Sequence, residues 1–145
     1  MQDETFIIYK KQTLKDEKEF LEKNIKCVRD KKRVCLLAEH NNKIIAITGI
    51  ELGRERSNHV GTFGISIRNG YRGMGLGKYM ASEIIKLAKE KLSPKPKIIR
   101  LEVFTSNEPA IALYKKMGFK IVAKIPKQMQ HKGKLVDEFV MLKFL

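Results

Sequence analysis

From Arg72 to Lys78 the chain reads Arg-Gly-Met-Gly-Leu-Gly-Lys, between a stretch of strand character and one of helical character. Such a segment can hold phosphate, because glycines let the backbone come close and the first N–H groups of a helix point at an anion. A plain tight turn would use glycine in the same way. The Gly-Lys-Ser/Thr ending of a P-loop is missing, and antiparallel strands precede the segment, which does not suit a dinucleotide-binding fold. Further along, Glu102 interrupts the apolar run Ile98-Ile-Arg-Leu-Glu-Val-Phe104. A carboxylate in a strand of that kind wants an explanation, and an ion pair with Arg100 or Arg68 is one. Metal chemistry finds no ligand set: Cys27 and Cys35 match no zinc spacing, and His40, His59 and His131 are scattered. The cysteines read as small packing residues and the histidines as surface or turn residues.

The elements around these residues follow from periodicity. Thr13-Leu-Lys-Asp16 has the form of a capping box, and Phe20, Leu21, Ile25 and Val28 recur at helical spacing, which predicts a helix over residues 14–29. Before it, residues 5–10 have room for one short strand. Residues 33–40 and 43–52 predict a hairpin turning at Asn41-Asn42-Lys43, and residues 59–68 a third strand with Gly64 as a candidate bulge. Leu76, Met80, Ile84, Leu87 and Ala88 mark one side of an amphipathic helix from Gly75 to Leu92, stopped by Ser93-Pro-Lys-Pro96. Residues 98–105 read as a strand buried on both faces, parallel to the third strand across the intervening helix. A short helix over residues 109–117 ends at Gly118, and two last strands meet at a turn over residues 131–134. The fold class is α/β, a mixed sheet flanked by helices.

At 145 residues, with 43% hydrophobic and 32% charged, the chain is expected to form one globular domain over residues 1–145. No apolar run approaches the roughly 20 residues that span a bilayer, and the first residues do not resemble a secretory signal, so a cytoplasmic protein without membrane contact is expected. Lys+Arg of 30 against Asp+Glu of 16 gives +14. That charge is lysine spread over every segment, without the basic and aromatic clusters that read single strands, so nucleic acid is not the primary partner expected.

Two linked motifs carry a resemblance. Arg72-Gly-Met-Gly-Leu-Gly77 after the strand Phe63-Gly-Ile-Ser-Ile67 resembles the acyl-CoA-binding signature of the GNAT N-acetyltransferase superfamily. Asn107, Ala110, Leu113, Tyr114, Gly118 and Phe119 resemble its second motif in order and spacing. The resemblance covers residue 33 to the end. It implies a mostly antiparallel sheet with a splayed parallel central pair, acetyl-CoA as cosubstrate, no metal, and an amine acceptor that is a protein amino terminus, a lysine or a small amine. The region before the hairpin is shorter than the family's usual strand and two helices, and that region normally helps to form the acceptor cleft.

The resemblance also implies roles. Ile65, Ser66 and Ile67 would pair with the pantetheine arm, with a backbone N–H near Ile67 facing the developing oxyanion. Arg72, Gly73, Met74, Gly75, Leu76, Gly77 and Lys78 would receive the pyrophosphate. Glu102 is similar to the base of ribosomal-protein alanine acetyltransferases, with a structural ion pair as its alternative. Tyr114 matches the family's general acid, and Asn107 would anchor the cofactor. No cysteine falls at either motif, which favours direct transfer in a ternary complex over a covalent acetyl-enzyme. Among partners, a homodimer built on the edge of the strand over residues 134–144 is open, as is an acidic mouth of Glu51, Glu55, Asp137 and Glu138. A non-catalytic acyl-CoA sensor or partner-guiding module is the alternative function.

Overall fold

A computed structural model describes residues 13–145. The strand expected over residues 5–10 lies outside the described residues. Helix α1 (Leu14–Arg29) begins at the expected capping box: Asp16 N–H donates to Thr13 Oγ1 at 3.2 Å, and Thr13 N–H donates to Asp16 Oδ2 at 2.9 Å. Strands β1 (Arg33–His40) and β2 (Lys43–Leu52) follow as an antiparallel hairpin. Its turn places Asn41 and Asn42 at φ of 50° and 58°, the left-handed pair of a primed two-residue turn that asparagine tolerates. Strand β3 (Val60–Ile67), helix α2 (Leu76–Lys91) and strand β4 (Ile98–Phe104) form the crossover unit. Helix α3 (Glu108–Lys116) leads into β5 (Lys120–His131) and β6 (Lys134–Phe144).

The six strands of the described residues run in the order β1-β2-β3-β4-β6-β5, antiparallel except for β3 and β4. That parallel pair is brief. It holds over Val60–Ile98, Gly61–Ile99 and Thr62–Arg100, and then the strands part although both continue. Gly61 permits the close approach at the start of the pair, since a Cβ there would lie 2.6 Å from Ile50 Cγ2 and 3.2 Å from Ile99 Cδ1.

One face of the sheet carries the core. Ile50, Phe63, Ile99, Leu101, Val103 and Met141 pack with Ile84 and Ala88 of α2 and Ile111 and Tyr114 of α3. Period-two alternation sends Thr62, Arg100, Glu102, Phe104 and Glu138 to the opposite face.

Three expectations need correction. Strand β4 is buried on one face only: Ile99, Leu101 and Val103 pack with α2 and α3 and are buried, whereas Glu102 on the other face is exposed. Gly64 is not a bulge, since β2 and β3 keep one register throughout; the irregular registers lie in β1–β2 and β5–β6. Strand β6 is paired on both sides, to β4 and β5, so its backbone offers no edge to a second copy.

Candidate active site

The parting of β3 from β4 creates the central feature of the site. Arg68 N–H donates to Ile45 O, and Val60 O accepts from Gly53 N–H, so even-numbered residues of β3 turn their backbone groups to β2. Alternation then turns the backbones of Ile65 and Ile67 toward the gap, and that of Ser66 toward β2. On β4, Thr105 N–H bonds to Asp137 O of β6. Odd residues face β6, and the backbone of Glu102 faces the gap. Among the described residues the gap is therefore lined by N–H and C=O groups without ladder partners, the Ile67 carbonyl alone being taken by Arg72, and an extended chain bearing amides would satisfy the rest.

The glycine loop closes the end of the gap. Gly73 and Gly75 have φ of 74° and 82°, a left-handed conformation that a Cβ disfavours, and a Cβ at either would meet nothing within 4 Å. Their glycine is conformational. Gly77 is helical, and its Cβ would lie 3.3 Å from Ile67 Cδ1 and 3.6 Å from Leu113 Cδ2, so glycine there lets α2 pack tightly. Gly75 caps α2 without a side-chain acceptor, and the first intrahelical bond is Tyr79 N–H to Gly75 O at 3.1 Å. The N–H groups of Leu76, Gly77 and Lys78 thus face outward at the positive end of the helix dipole. Arg72 Nε donates to Ile67 O at 2.9 Å, while Met74 (72% exposed) and Lys78 stand on the surface.

Tyr114 reaches toward β3 from α3. Its ring lies edge-on to Phe63 with centroids 5.9 Å apart, and 5.9 Å from Phe119. The residue is buried, and burial pushes its phenol up to about 12. The hydroxyl has no hydrogen-bond partner among the described residues, yet no fully buried polar side-chain atom there lacks one, so this hydroxyl keeps an opening to solvent. Asn107 caps α3, its Oδ1 accepting from Ala110 N–H at 3.4 Å, and its amide nitrogen has no acceptor among the described residues.

Glu102 projects from the opposite face of β4, ion-paired to Arg100 Nη2 at 2.5 Å. The ion pair considered from the sequence is present, with Arg100 rather than Arg68. The acidic mouth does not assemble: Glu51 pairs with Arg33 at 2.8 Å and Asp137 with Lys124 at 3.0 Å, at separate places on the sheet. Both cysteines are free thiols, and burial raises the Cys35 thiol above its ordinary value. No group of three or more His, Cys, Asp or Glu residues is placed to hold a metal among the described residues, and no helix there is long and apolar enough to cross a membrane.

Two features escaped the sequence reading. His40 Nδ1 lies 3.2 Å from Tyr71 Oη, with the rings edge-on, in a groove of about 520 Å³ beside Gly75 and Tyr79. Glu138 is buried beside the Glu102 and Arg100 pair. Neither has a motif, because each brings together segments distant in the sequence.

The model of the acetyltransferase (GNAT) family matches residues 2–119, and the chain belongs to that family. The L-amino acid N-acetyltransferase AaaT of Escherichia coli (strain K12) is 34% identical over 88 residues, 61% of this chain and 53% of AaaT. The match thus spans about half the length of that curated relative. A GNAT-family acetyltransferase structure from Streptococcus pneumoniae is similar at 30% identity and a TM-score of 0.79, covering 92% of this chain and 77% of that one. A Salmonella typhimurium acetyltransferase solved with acetyl-CoA has the same fold at 17% identity and a TM-score of 0.79, covering 95% of this chain and 78% of that one.

Proposed function

We propose that this protein transfers the acetyl group of acetyl-CoA to a primary amine by direct attack in a ternary complex. The observation that carries this reading is the gap between β3 and β4. Among the described residues it presents the backbone groups of Ile65 and Glu102 and the N–H of Ile67 without ladder partners, and it runs toward a helix start whose N–H groups have no side-chain cap there. Those residues fit acetyl-CoA, with amide partners for pantetheine along β3 and an anion site for pyrophosphate at Leu76, Gly77 and Lys78. When bound, acetyl-CoA supplies the activated thioester.

The chain's own residues divide the remaining work. Ile65 and Ile67 hold the pantetheine amides, and the Ile67 N–H is directed into the gap, where negative charge on the carbonyl oxygen would develop. Arg72 and Lys78 add positive charge around the pyrophosphate site, and the Asn107 amide nitrogen anchors the cofactor from α3. Tyr114 stays protonated across the neutral range because of its burial, so a proton is held at Oη for the departing sulfur. The acceptor approaches from the sheet face that carries Glu102, whose carboxylate attracts an ammonium ion.

Acceptors to test are protein amino termini, lysine side chains and small amines, with L-amino acids added because AaaT is named for them. A mass-spectrometric screen of L-amino acids, peptides and amines with acetyl-CoA reads activity and acceptor class together. Acetylation of one class supports the transferase. Tight binding of acetyl-CoA with no transfer, unaffected by Tyr114→Phe, would leave a non-catalytic acyl-CoA sensor instead.

A further inference from the structure

Glu138 sits in β6 directly opposite Phe104, and only 6% of its surface is exposed. Its carboxylate has neither a hydrogen bond nor an ion pair among the described residues, so by the same reasoning as for Tyr114 its oxygens open onto the surface of the face they share with Glu102. Glu102 pairs with Val140, two residues further along β6. Glu102 and Glu138 are therefore diagonal neighbours on one face, about 7–8 Å apart at the backbone and within reach of long side chains. Arg100 forms its ion pair with Glu102 rather than with Glu138. Two neighbouring carboxylates thus have different environments: one is exposed and paired, the other buried and unpaired.

Such a pair divides roles in acid–base chemistry, since the group whose charge is less well accommodated is the better match for proton exchange near neutral pH. Burial, and then the charge of Glu102, push the Glu138 carboxyl above its ordinary value, and Arg100 acts in the opposite direction. On the neighbouring β5, Ile125 lies opposite Glu138, His131 packs against the ring of Phe104 with centroids 5.4 Å apart, and Lys127 binds Asp137 through its backbone N–H. Asp137 and its partner Lys124 belong to the other face, by strand alternation.

We infer that Glu138, rather than Glu102, accepts the proton that the acceptor ammonium must lose before it can attack. This rests on the transferase reading above. The ammonium gives one proton to a Glu138 carboxylate oxygen, and its lone pair forms the nitrogen–carbon bond while the carbon–sulfur bond breaks. Sulfur keeps the bonding electrons and takes the Tyr114 proton. The second nitrogen proton passes through solvent to restore Tyr114, and Glu138 returns its own to water, so one proton is released per turnover. Glu102 serves as the fixed charge that attracts the ammonium.

The test is the pH dependence of kcat/KM for wild type, Glu138→Gln, Glu138→Asp and Glu102→Gln. The acceptor is an L-amino acid or an alanine-starting peptide, whichever the wild type acetylates. Wild type should lose rate on the acid side, above the usual carboxylate range. Glu138→Gln should lose that acidic limb and fall about a hundredfold or more at neutral pH. Glu102→Gln should keep the limb but move it to lower pH, because the repulsion that raises Glu138 is gone. Glu138→Asp should retain a limb, and unchanged CoA affinity in all variants shows that the cofactor side is intact. An acidic limb that survives in Glu138→Gln, or vanishes in Glu102→Gln, overturns the assignment while leaving the transferase reading in place. A wild type that binds acetyl-CoA but acetylates nothing overturns both.

Discussion

Arg72 Nε donates to the carbonyl oxygen of Ile67 over 2.9 Å, fastening the first residue of the glycine loop to the last residue of β3. The same contact links the anion site to the strand whose backbone faces the gap. Arg72→Ala should weaken CoA binding about tenfold, the effect of losing one charge-assisted hydrogen bond of roughly 1.5 kcal/mol. At saturating acetyl-CoA, kcat should change little. Titration calorimetry with CoA checks this, and an affinity within twofold of wild type would count against the tether.

The glycines of the loop should separate by role. Gly75→Ala forces a Cβ into φ of 82° and should cost about 1–2 kcal/mol, whereas Gly75→Asn should cost less because asparagine tolerates that region. Gly77→Ala meets the flexible ends of Ile67 at 3.3 Å and Leu113 at 3.6 Å and gains helix propensity, so its stability should stay within about 1 kcal/mol of wild type. Urea melts of the three variants give the ranking. Equal losses at both positions would contradict the distinction.

Tyr114→Phe removes a hydroxyl without a hydrogen-bond partner among the described residues, so stability at neutral pH should be nearly unchanged while transfer falls by about 10²–10⁴. The KM for acetyl-CoA should move only a few-fold. Steady-state kinetics beside a thermal melt tests the pair of outcomes, and a fully active variant would remove Tyr114 as the acid.

The same phenol makes an alkaline prediction. Its value in the fold is about 12 against an ordinary 10, so above pH 10 the unfolded chain releases this proton while the folded chain keeps it. Stability contributed by the neutral phenol is whole below pH 10 and is lost as pH rises toward 12, by about 2–3 kcal/mol in all. Tyr114→Phe should lack that component in urea melts compared between pH 9 and pH 12. An identical alkaline slope in both proteins would argue against a buried, protonated phenol.

Much of this molecule is legible from local pattern. The Thr13–Asp16 capping box, the Asn41-Asn42 turn and the start of α2 at the glycines are each set by residues within a few positions of one another, and the structure has all three. Glu102 illustrates the limit. The apolar run around it, residues 98–105, reads as buried on both faces, but which faces of β4 are covered depends on where α2 and α3 pack, a non-local matter. Glu138 is legible in the sequence only as one member of an acidic mouth that does not form, since it is the β4–β6 register that sets it beside Glu102. The interior place of β6 likewise follows from sheet order rather than from its own composition.

The short parallel contact between β3 and β4 also makes the sheet two antiparallel halves, β1-β2-β3 and β4-β6-β5, hinged across three residue pairs and braced by the helices on one side. Between the halves, amide protons should record the opening residue by residue. Ile65 and Ile67 should exchange with deuterium quickly and Gly64 and Ser66 slowly, giving a sawtooth along one strand, with Glu102 fast between slow Leu101 and Val103. Acetyl-CoA should flatten that sawtooth by supplying the missing partners and joining the halves. A uniform protection pattern in the free protein would mean that the seam is closed.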